Sequence, residues 1–163
     1  MTKLGTAQPK ALIIHCSDPR FQEAFKNFIC GNLDLAEGEY IPIVIPGSVS
    51  VIGGSINTLL PKNYKALMDQ IQLMLEHNKE VPLRLILINH EDCKGYAFIL
   101  EKLKKLNSKL PDVIERQVSD LEFAAQAISL AAKKFNIKYE FELYMARIGP
   151  DNEIVFDKYI LSK

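Results

Sequence analysis

Ala11-Leu12-Ile13-Ile14-His15-Cys16-Ser17-Asp18-Pro19-Arg20 passes from an unbroken apolar run straight into residues that carry chemistry. An apolar run without polar alternation reads as a strand buried on both faces. Leu83-Arg84-Leu85-Ile86-Leu87-Ile88 repeats the pattern, and after Asn89 it leads to His90, Glu91, Asp92 and Cys93. Strands covered on both faces belong to parallel sheets flanked by helices, and open α/β sheets bind ligands off the carboxyl ends of their strands. If the two runs are parallel neighbours, two thiols and an imidazole meet at that end.

The segments around them complete the fold. Phe21, Phe25, Phe28 and Ile29 recur at helical spacing, with Gly31 expected as a left-handed cap. Tyr40 to Ile45 reads as a short strand whose Pro42 keeps its first residues out of a central ladder. Tyr64, Leu67, Met68, Ile71, Met74 and Leu75 trace a helix face from about Asn63, so strand, helix and strand predict a right-handed crossover and a parallel pair. Tyr96, Ile99, Leu100, Leu103 and Leu106 predict a helix ending around residues 107 to 111. Ser119 and Glu122 form an apparent capping box for a helix through Phe135. Ile137 to Met145 alternates as a strand with one wet face, and Gly149-Pro150-Asp151-Asn152 turns it back into residues 153 to 156. The expected fold is α/β: a mostly parallel central sheet flanked by helices, with a C-terminal antiparallel hairpin.

A chain of 163 residues, 48% of them hydrophobic, supplies one core and leaves no room for two ordinary domains, so residues 1–163 are read as a single domain. Residues 1–10 are polar and aperiodic, a tail ordered only where a partner covers it. Twenty basic and twenty acidic residues balance, and no Lys/Arg-rich block resembles a phosphate-backbone footprint, so nucleic acid is excluded as the expected partner. No apolar run approaches the ~20 residues that cross a bilayer. Three cysteines are an odd number with no disulfide framework, and no signal-like stretch precedes Ala11. Reduced thiols in a cytoplasmic protein are the expectation.

Thiolate and imidazole are preferred zinc ligands, and a catalytic zinc usually keeps three protein ligands and an open fourth position. Cys16, His90 and Cys93 make three, the last two separated by a spacing that a strand-to-helix turn can fold onto one ion. An extended 16–20 segment would place Cys16, Asp18 and Arg20 on one face, with the guanidinium gripping the carboxylate. Each residue also has a plainer reading. Single cysteines are often buried as small hydrophobes, Asp18 before Pro19 is a good helix N-cap, and Arg20 could sit on the surface. His15 alternates away from Cys16, Cys30 stands alone, and His77 falls at a helix end. Pro46 to Gly54 is glycine-rich but lacks the Gly-Lys-Ser/Thr ending of a phosphate loop.

Taken together, Cys16-x-Asp18-x-Arg20 and His90-x-x-Cys93 resemble the signature of the β-class carbonic anhydrases, and Asp92 matches a residue frequent in that family's His-x-Asp-Cys segment. The resemblance implies Zn2+ held by Cys16, His90 and Cys93, and Asp18 with Arg20 as the dyad that orients a zinc-bound hydroxide. The resemblance also implies a closed state in which Arg20 releases Asp18 to become the fourth ligand. It further implies reversible hydration of carbon dioxide to bicarbonate, and a homodimer or higher homo-oligomer in which the amino terminus takes part. Two positions depart from the family. The stretch Ile45 to Gly54 stands where the family usually has Arg-Asn-Ala-Gly and lacks both the arginine and the asparagine, and Lys94 stands where the family has a glycine, with Gly95 one place later. Another small electrophile, such as carbon disulfide or carbonyl sulfide, and a noncatalytic zinc-stabilised binding domain are the alternatives these departures leave open.

Overall fold

All six residues of β1 (Ala11–Cys16) are buried, as an apolar run in the middle of a covered sheet must be. The computed structural model describes residues 8–53, 60–78, 82–104 and 112–160. Among them β1 is followed by a 3-10 turn (Pro19–Phe21), α1 (Gln22–Asn27), a π-turn (Phe28–Asn32), β2 (Tyr40–Ile45) and a second 3-10 turn (Ser48–Val51). Then come α2 (Pro61–His77), β3 (Leu83–His90), α3 (Lys94–Lys104), α4 (Val113–Lys134), β4 (Tyr139–Ile148) and β5 (Ile154–Tyr159). The strands form a five-stranded sheet in the order β2-β1-β3-β4-β5. The first four are parallel, and β5 returns antiparallel beside β4. Among the described residues no helix is long and apolar enough to cross a membrane.

Alternation along the strands sorts the core into two layers. Leu12 and Ile14 of β1, Leu85 and Leu87 of β3 and Leu143 of β4 meet Leu67, Ile71 and Leu75 of α2 and Leu121 and Ile128 of α4. On the other face Ile13, Ile86, Ile88 and Tyr144 meet Phe21, Phe25 and Phe28. Phe28 stacks face to face on Phe156 of the hairpin, with ring centroids 3.9 Å apart. Both layers reach the carboxyl end of β1 and β3, so the segments leaving these strands start from a rigid base.

The structure departs from the sequence reading at several boundaries. The first helix does not stop at Gly31, which takes no left-handed conformation; the π-turn carries the chain through it, and Asp34 is the residue with φ 54°. β2 and β3 do not pair: they flank β1, as an edge position for Pro42 allows. The fourth helix opens at Asp112, whose carboxylate accepts from the Ile114 N–H at 2.8 Å, so Ser119 lies inside the helix rather than capping it. β4 has no wet face from Leu143 to Ala146, because Leu143 packs into the layer of α2 and α4 while Tyr144 and Ala146 pack into the phenylalanine layer on the other face. Residues 1–7 of the expected tail, Gly54, and the expected helix end at 107–111 lie outside the described residues.

Candidate metal centre

Cys16 is the last residue of β1 and His90 the last of β3, two adjacent parallel strands, so the topology alone delivers both to the same rim. Cys93 reaches them through a bend. Asp92 takes a left-handed φ of 51°, a conformation that Asp tolerates better than most residues, and the chain turns back before α3 begins at Lys94. The two Sγ atoms lie 3.7 Å apart, and with the His90 ring nitrogen the three ligand atoms all fall within 4.8 Å of one another. All three residues are buried. This cluster could hold a metal ion.

The imidazole is set up as a ligand. His90 Nδ1 faces the Glu91 carbonyl oxygen at 2.7 Å, and because a carbonyl only accepts, Nδ1 carries the proton. The lone pair is therefore on Nε2, which is buried and has no hydrogen-bond partner among the described residues. An orphaned acceptor costs stability unless something occupies it. Phe21 packs on the ring at 4.1 Å between centroids and fixes its plane. Glu91 is itself clamped: its carboxylate accepts from the Ile148 N–H at 2.9 Å and from Arg147 at 3.1 Å, and Arg147 also grips Asp157 and the Tyr159 hydroxyl. The β4–β5 hairpin thus steadies the loop that aims His90.

The sulfurs are equally constrained. Cys16 Sγ accepts from the Gly47 N–H at 3.3 Å. Hydrogen bonding from the Cys93 thiol pulls the Cys16 thiol well below its ordinary value, while that same bond and burial push Cys93 up, so the pair shares one proton that a metal ion would displace. Gly47 has φ 77° and Gly95 packs directly against it, since a Cβ on Gly95 would fall 2.6 Å from the Gly47 nitrogen. Gly95 thus supplies the close backbone approach that the glycine one place earlier would have been expected to give. Gly95→Ala should push the 46–47 turn away from Cys16 and lower stability by about 1–3 kcal/mol, read by denaturant unfolding. An unchanged midpoint would refute the close packing.

Asp18 and Arg20 meet, though not through extended backbone. Residues 19–21 form a 3-10 turn, and Asp18 caps it by accepting from the Arg20 N–H at 3.0 Å. The turn folds Arg20 back so that its Nε and Nη2 donate to the two Asp18 oxygens at 3.0 and 2.7 Å. The capping and dyad readings are therefore both true. Arg20 bonds hold the Asp18 carboxyl at about 2, below its ordinary 3.8. Arg20 also donates to the Asp92 carboxylate at 2.6 Å and to the Asp92 carbonyl at 2.9 Å, which ties the first motif to the second.

A cleft of about 330 Å³ opens on this cluster, with Cys16, Asp18 and Arg20 on one side and Pro46, Lys94 and Gly95 on the other. His90 and Cys93 do not line it. Beyond Pro46 and Gly95 an apolar cavity of about 370 Å³ continues along Val51, Leu67, Phe98 and Ile99. Tyr96 is buried in one cluster with the two cysteines, and its hydroxyl meets Asn89 at 3.1 Å and the Asp120 carboxylate. Arg116 holds Asp120 through both carboxylate oxygens. Asp120→Ala takes the charge out of this buried pair and should cost about 3 kcal/mol in unfolding free energy; a loss too small to measure would contradict the network.

Every site residue read from the sequence joins this constellation. His15 does not: it is buried beside Phe25, on the face of β1 away from Cys16, and Cys30 stands apart. The sequence reading missed the Glu91 clamp and the arrangement of Gly47 against Gly95. The acidic residues inside His90-Glu91-Asp92-Cys93 were the only signal for the former. Comparison with protein-family models and with curated proteins finds no match to this chain.

Proposed function

We propose that the protein is a zinc-dependent carbonic anhydrase that interconverts carbon dioxide and bicarbonate, with Cys16, His90 and Cys93 as the metal ligands. One observation carries the reading: two sulfurs 3.7 Å apart and an imidazole nitrogen converge beside an Asp–Arg dyad, and Cys16 and that dyad line a cleft. Two zinc–sulfur bonds of about 2.3 Å span nearly that distance along a tetrahedral edge. A zinc ion held there would bring the pKa of a coordinated water towards neutrality. The chain's own part is orientation. Asp18 stays ionised at physiological pH, so its free lone pairs accept a hydrogen bond from a nucleophile's O–H and fix its direction, while Arg20 keeps the carboxylate from rotating. The apolar cavity past Pro46 suits an uncharged gas.

The test is stopped-flow carbon dioxide hydration by the zinc-loaded protein across neutral to alkaline pH. Activity that rises with pH supports the reading; a fully zinc-loaded protein without hydration at any pH overturns it. A second reading, a different small electrophile such as carbonyl sulfide, draws on the cleft wall at Pro46, where the 45–54 segment offers no arginine or asparagine side chain. The same assay with that substrate separates the two. A cytoplasmic homodimer or higher homo-oligomer belongs to the proposal, and sedimentation of the full chain tests the assembly.

A further inference from the structure

The ionisable groups lining the metal cleft are Asp18, Arg20 and Lys94, beside the Cys16 thiol. The first two are committed to each other. Both Asp18 oxygens accept from Arg20, and the remaining guanidinium bonds go to Asp92. Lys94 differs: it is exposed, it opens α3, and it forms no ion pair with any described residue. Its charge acts on Asp92, but that carboxylate is bonded to Arg20. An ammonium on a flexible four-carbon stem at the mouth of a small cleft raises the local concentration of anions and can follow one inside.

We propose that Lys94 makes the cleft selective for small monoanions of the bicarbonate or carboxylate kind, bound beside the metal cluster. This rests on the metal reading above and extends it to the charge of the ligand. Carbon dioxide is neutral, so Lys94 acts on the bicarbonate side of the interconversion, holding that anion and favouring its entry from solution. A glycine at this position would leave the cleft without that charge.

Titration of the cobalt(II)-loaded full-length protein, followed by visible absorption, tests this with two probes: thiocyanate as the monoanion, and imidazole at a pH where it is neutral. Lys94→Ala should weaken thiocyanate by about tenfold and leave imidazole unchanged, Lys94→Glu should weaken thiocyanate further, and Lys94→Arg should stay within about threefold of the parent. Unchanged thiocyanate affinity in Lys94→Ala, or equal weakening of both probes, overturns the assignment while leaving the metal centre intact. Failure of the parent to take up cobalt overturns the metal reading and this inference together.

Discussion

Cys93→Ser should lose stoichiometric zinc and melt about 10 °C below the parent in zinc-containing buffer. A serine hydroxyl is neutral at physiological pH and a poor substitute for a soft thiolate, and only two ligands remain. The effect on stability is large because Cys16 and Cys93, 77 residues apart in sequence, join the end of β1 to the loop between β3 and α3. Metal at about a thousandfold excess over its dissociation constant adds about 4 kcal/mol to the folded state. In a chain of this size each kcal/mol moves the midpoint by about 2–4 °C. Metal-free parent should melt close to the variant. Full zinc occupancy with an unchanged midpoint would remove Cys93 from the ligand set.

Asp18→Asn should keep its zinc and hydrate carbon dioxide about a hundredfold more slowly, the loss that a misoriented nucleophile can cause. Asparagine has almost the same shape, but one of its two terminal atoms becomes a donor. It can no longer present two acceptors to Arg20, and it brings no negative charge to the cleft. The parent carboxyl is depressed from 3.8 to about 2, so the ionised dyad favours the folded state. That contribution is complete above 3.8 and lost as pH falls through about 2. At neutral pH the dyad is therefore fully formed, and the loss of turnover reads out orientation rather than a titration. Unchanged turnover would refute the role, and loss of metal would make Asp18 a structural residue instead.

The strands were legible because their burial leaves a direct trace: β1 and β3 are covered on both faces, and their sequences hardly alternate. The site followed from the same fact, since residues that leave two adjacent parallel strands must emerge together. Boundaries set by side-chain competition were harder. Ser119-x-x-Glu122 has the local form of a cap, but Asp112 already terminates the helix seven residues earlier and the burial of Gln117 and Asp120 keeps the intervening turns packed. Gly31 could adopt a cap conformation, yet the packing of Phe28 and Ile29 carries the chain past it. The left-handed turn at Asp92 was invisible because propensity permits that conformation in Asp without requiring it; the Arg20 bonds to Asp92 hold it in place. The approach of Gly95 to Gly47 joins segments 48 residues apart, and only the folded chain reveals it.

X-ray absorption at the zinc edge, on the full-length protein purified in reducing buffer, tests the central assignment most directly. Cys16, His90 and Cys93 predict one zinc per chain with two sulfurs at about 2.3 Å, one imidazole nitrogen at about 2.0–2.1 Å and a single further light atom. A protein that retains no zinc, or a zinc shell without the two sulfurs, would contradict it.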